Sequence, residues 1–160
     1  MSTARERKPY LRWIADNVDG MPVGRAIEAG QDARFSCSSD YVEHYWTAVI
    51  GPSSALALRF LHDRLWHGEP DETPVDVVRL AYQLGMADSS GGIRGVNSPV
   101  VKALDRLVLF GLCLVDLAAG RPKLLVYDRV PPVPYRKVVK WPDAMRQAHD
   151  DRVAGVRRRG

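Results

Sequence analysis

Asn97, Ser98, Lys102 and Arg106 are the residues whose types and spacing best suit recognition chemistry. Asparagine, lysine and arginine hydrogen-bond the edges of adenine and guanine, and a cation also meets phosphate. If Val100, Leu104 and Leu107 face inward on one helix, these four residues face outward. The plainer reading is an ordinary solvated pair, Lys102 and Arg106 four residues apart with Asp105 beside them. Arg94 lies just before this helix. Arg121 and Lys123 flank Pro122 in a later turn. Such a tip suits a phosphate or a minor groove, or it simply blunts an exposed edge.

The segment Ser89-Ser90-Gly91-Gly92-Ile93-Arg94-Gly95 leads into the same helix. Free backbone N–H groups, a helix start and one arginine make a reasonable phosphate seat, although a glycine-rich loop is more often plain loop. It contains neither a Gly-Lys-Ser/Thr ending nor a dinucleotide fingerprint. Enzyme chemistry finds little support. His44, His62, His67 and His149 read as standing at no metal-ligand spacing, and no Cys-x-x-Cys or His-Glu-x-x-His occurs. Cys37 and His44 lack a third group to orient them as nucleophile and base. Neither catalysis, a cofactor nor a metal is therefore expected.

Several elements must position these side chains. Ser98 reads as the cap and Pro99 as the first turn of a helix that Gly111 stops. Leu112 to Leu117 and Lys123 to Val130, split by Ala118-Ala119-Gly120-Arg121-Pro122, read as an antiparallel hairpin. Upstream, Thr73-Pro74 opens a helix with Val77, Val78, Ala81 and Leu84 inside, ended by Gly85. Asp40 and Glu43 have capping-box spacing ahead of an amphipathic helix through Val42, Tyr45, Trp46, Val49 and Ile50, closed by Gly51-Pro52. Ser53 or Ser54 then caps a helix running through Leu58, Leu61 and Leu65 to about His67. A short helix is expected over Pro9 to Val18. Met21 to Ser39 reads as irregular with a turn near Arg25 to Ala29. Pro131 to Pro134 reads as extended, and a last helix covers about Pro142 to Val153 before the Arg157-Arg158-Arg159 tail.

At 160 residues the chain can bury a core, and no apolar run nears the ~20 residues of a membrane span. The N-terminal Met-Ser-Thr-Ala-Arg-Glu-Arg-Lys lacks the apolar segment of a signal peptide, so cytoplasmic residence is the expectation. Two cysteines do not make a disulfide framework. The net charge of +4 is unevenly spread: +3 over residues 1–13, −6 over 14–98 and +7 over 99–160. Basic ends around an acidic middle suit a nucleic-acid binder, or tails that only aid solubility.

Helix, glycine and hairpin, preceded by two helices, resemble the winged helix-turn-helix DNA-binding domain. Leu80-Ala81 and Leu84-Gly85 look like its second helix. Leu104-Asp105-Arg106-Leu107-Val108-Leu109-Phe110-Gly111-Leu112 is similar to the third-helix ending of MarR-type regulators. This resemblance implies a mainly α (α+β) fold. Residues 1–52 would be an N-terminal helical extension, 53–130 the winged helix, and 131–160 a proline-rich linker, C-terminal helix and basic tail. It also implies a non-enzymatic, sequence-specific partner of double-stranded DNA. Such a protein would regulate transcription, or serve replication or mobile-element maintenance, and winged-helix homodimers commonly form through flanking helices. Arg94, Asn97, Ser98, Lys102, Arg106, Arg121 and Lys123 would then be the contacts. Winged helices also serve as adaptors that bind protein instead, which would show as an exposed apolar patch at Leu109 and Phe110.

Overall fold

Two glycine-ended helices organise the core. The computed structural model describes residues 8–28, 30, 32–68, 74–87, 92–117 and 120–157. Helix α5 is Pro99–Leu109, and α4 is Val77–Gln83. Gly111 turns left-handed at φ 73° after α5, which lets Gly111 N–H reach Val108 O at 3.1 Å and Leu112 N–H reach Leu107 O at 2.9 Å. Gly85 does the same for α4, where Met86 N–H bonds Ala81 O at 2.7 Å. Both ends are Schellman motifs, each tucking a buried residue (Leu112, Met86) under its own helix.

The helix starts differ from expectation. Asp76 caps α4 by accepting Arg79 N–H at 3.0 Å; Thr73 lies outside the described residues. Ser98 precedes α5 but makes no capping bond, and its Oγ is buried without a partner. Pro99 needs no acceptor, which lightens the loss.

The expected hairpin forms over a shorter span, 113–116 with 123–127, because the chain from 129 leaves to pair with another strand. Strand β3 (Cys113–Asp116) pairs antiparallel with β4 (Lys123–Tyr127) in the register Cys113↔Val126 and Val115↔Leu124. Those four side chains are buried while Leu114 faces out, the alternation of a half-buried sheet. Residues 118 and 119 of the turn lie outside the described residues.

A third strand corrects the reading of Met21 to Ser39. Val23–Ala26 forms β1, parallel to β4 on its other edge with Val23 opposite Leu124. Phe35–Ser36 forms β2, antiparallel to β5 (Arg129–Val130). The tetrapeptide Val-Gly-Arg-Ala has no alternation of its own, and pairing with β4 defines it. Gly24 suits the close approach: a Cβ there would lie 3.1 Å from Leu125 Cδ2.

Helix α1 is Lys8–Asp16. A π turn, Val42–Trp46, runs into α2 (Thr47–Ile50), and α3 (Pro52–His62) runs into a second π turn, Asp63–His67. The capping box at Asp40 does not form: Asp40 instead binds Arg152 at 2.5 Å, and Glu43 pairs with Arg59. Ser54 does not cap α3. It is buried inside that helix and donates to Ala103 O of α5 at 3.0 Å. Short helix α6 (Tyr135–Val138) and α7 (Asp143–Arg157) complete the described residues.

One core draws on residues from Ile14 to Val138, with α3 and α1 packed along α5. Val42 and Trp46 are buried within the single chain, with Trp46 Nε1–H donating to Pro131 O at 2.8 Å. No second subunit is needed to cover them. The fold is mixed, helices around small sheets, as the α+β expectation has it. Among the described residues no helix is long and apolar enough to cross a membrane.

Candidate nucleic-acid interface

The face of α5 away from the core carries Lys102 and Arg106, both exposed. The buried side is broader than the sequence suggests, with Val100, Val101, Ala103, Leu104 and Leu107 all inside. Asn97 is exposed just before the helix. Ser98 is fully buried, so its hydroxyl does not belong to this surface, a correction to its reading as a contact. It points inward because the chain packs against the core one residue before the first turn.

Two arginines of the expected set are engaged elsewhere. Arg106 Nη1–H donates to Ile50 O at 3.0 Å, satisfying a carbonyl at the end of α2. Arg94 Nη1 meets Asp19 Oδ2 at 2.5 Å, and both side chains are exposed. The Arg94 hydrogen bond holds the Asp19 carboxyl below the usual carboxylate range. Arg94 reaches an outside phosphate only by exchanging this partner.

In the hairpin, Arg121 is exposed near the tip and Lys123 is half-buried directly across from Asp116. Opposite charges at facing positions support the strand pair. Gly92 to Gly95 are described and Ser89 to Gly91 are not, so the phosphate-seat reading of that loop lies partly outside the described residues.

Other cations join α5 at its C-terminal end. Leu109, Phe110, Arg136, Lys137 and Lys140 line an open pocket of about 500 Å³. Lys137 Nζ stands 5.5 Å from the centre of the Phe110 ring, where the ring's negative face attracts it. No carboxylate among the described residues pairs with Arg136, Lys137 or Lys140. Lys102, Arg106 and Phe110 follow one another at four-residue steps, so the basic side of α5 leads into this pocket. Sequence reasoning missed these three cations. Their signal was present as three basic residues within five positions, directly after the proline run.

The histidines also need correction. His62 and His67, read as standing at no ligand spacing, are brought together with Asp63 by the π turn that ends α3.

Comparison with family models, with curated proteins and with solved structures gave no match to this chain.

Proposed function

We propose that this chain is a winged-helix DNA-binding protein, a sequence-specific regulator whose recognition helix is α5 and whose wing is the β3–β4 hairpin. The observation that carries the reading is the basic tract on one side of the molecule. Lys102 and Arg106 lead along α5 to Phe110, around which Arg136, Lys137 and Lys140 gather. Clustered cations beside an exposed Asn97 combine phosphate positioning with a group able to read a base edge. The order helix, glycine, helix, glycine, hairpin supports the same assignment. In this reading α6 adds backbone contacts beyond the wing.

Duplex binding measured against salt tests it. Five neutralised phosphates give a log–log slope of about −4.5. Replacing Arg136, Lys137 and Lys140 together by Ala lowers the slope by about 2.7 and weakens all sequences alike. Asn97→Ala instead flattens base preference by about 1–3 kcal/mol. Absence of duplex binding at low salt overturns the proposal. The adaptor reading then stands, favoured by Leu114 and Leu117, both exposed on and just after β3, an edge strand.

A further inference from the structure

The end of α3 carries a second constellation, independent of the basic tract. His62 is completely buried. Its Nε2 lies 2.9 Å from Asp128 Oδ1. A carboxylate only accepts, so Nε2–H donates, and in the neutral ring the lone pair is then at Nδ1. That Nδ1 is buried and meets no hydrogen-bond partner. Asp63 Oδ1 stands 3.9 Å from it, too far for a hydrogen bond. Buried nitrogens are rarely left so, and an orphan of this kind calls for an explanation.

The geometry around Nδ1 supplies one. The chain turns from α into π geometry at Asp63, and Gly68 N–H closes the wider ring on Asp63 O at 2.8 Å. At 3.6 residues per turn, positions 62 and 67 would lie about 140° apart around the axis. The wider turn brings them toward one side, and the two imidazole rings stand 5.1 Å apart, edge to face. One ligating atom from each of His62, Asp63 and His67 lies within 4.8 Å of the others. Gly68 fixes the exit from this turn, since a Cβ there would sit 2.6 Å from Arg64 O.

We propose that His62 Nδ1, Asp63 and His67 bind a divalent first-row transition ion, zinc in the first instance. Two imidazoles and one carboxylate suit zinc, whereas calcium and magnesium demand mostly oxygen ligands. Metal–ligand bonds of about 2.0–2.1 Å put tetrahedral ligand atoms about 3.3 Å apart. Asp63 and His67 are exposed and close that gap by side-chain rotation, while His62 stays fixed. Water supplies the fourth ligand. Asp128 completes the arrangement from behind, orienting His62 as a carboxylate behind a ligating histidine does. Because Asp128 connects β4 and β5, the ion ties the end of α3 to the sheet.

Untagged protein of the whole 160-residue sequence, stripped with chelator and titrated with Zn²⁺ by calorimetry, tests the site. One ion per chain binds, the thermal midpoint rises, and Co²⁺ gives the visible absorption of a tetrahedral centre. Asp128→Asn weakens binding about 10–100-fold. His67→Ala and Asp63→Asn, both at exposed positions that spare the core, weaken it at least as much. His44→Ala, an exposed histidine elsewhere, leaves binding unchanged. The proposal is overturned if the folded wild type takes up no ion, or if His67→Ala and Asp63→Asn bind as wild type does.

Discussion

Tyr41→Phe is a small change with a large expected effect. The Tyr41 ring is wholly buried and stacks on Phe35 at 3.6 Å between centroids, 6° from parallel. Its hydroxyl accepts Val133 N–H at 2.9 Å and donates to His149 Nε2 at 2.8 Å. One oxygen thus joins the helix at 40–50, the proline-rich segment and α7. Phenylalanine keeps the stack and removes both bonds. An orphaned buried amide costs about 1–3 kcal/mol, and the lost hydroxyl–imidazole bond adds about 1. For a chain of this size a total of about 2–4 kcal/mol lowers Tm by roughly 5–12 °C. Urea unfolding followed by circular dichroism measures the loss, and a cycle with His149→Ala isolates the imidazole's share. Burial also pushes the Tyr41 hydroxyl up to about 12 from its ordinary 10.0. The unfolded chain therefore releases this proton before the folded one. Tyr41 contributes its full stability below pH 10 and loses it as pH rises towards 12. Tyr41→Phe removes that part of the alkaline loss. A variant within 0.5 kcal/mol of wild type at pH 7 would refute the three-way junction.

Two further outcomes follow from pairings in the structure. Asp19→Asn releases Arg94 from an exposed ion pair, so duplex affinity at low salt rises if Arg94 meets phosphate. An unchanged affinity removes Arg94 from the interface. Burial pushes the Cys37 thiol up to about 12 and raises that of Cys113 too, while Cys37 Sγ donates to Tyr127 O at 3.0 Å. Both cysteines therefore resist a thiol reagent at pH 8 in the native protein and react in urea; fast native labelling would contradict their burial.

The sequence by itself determined the elements whose causes are local. Glycines at 85 and 111 end their helices because only a left-handed residue lets the chain fold its last amides back. The apolar stripe of α5 and the two apolar runs at 112–117 and 123–130 needed no distant partner to be legible. What escaped depended on contacts made far along the chain. Strand β1 is too short to show a period and exists by pairing with β4. Asp40 and Glu43 have the spacing of a capping box, but arginines at 152 and 59 claim their carboxylates. The basic pocket joins the end of α5 to a segment beyond the wing. His62, Asp63 and His67 converge only because a helix expected to keep its α period widens by one residue at its end. Asp128, from the far side of the β4–β5 junction, then fixes which nitrogen of His62 is left open. Local spacing sets which side chains share a face, whereas long-range packing sets which of them find a partner.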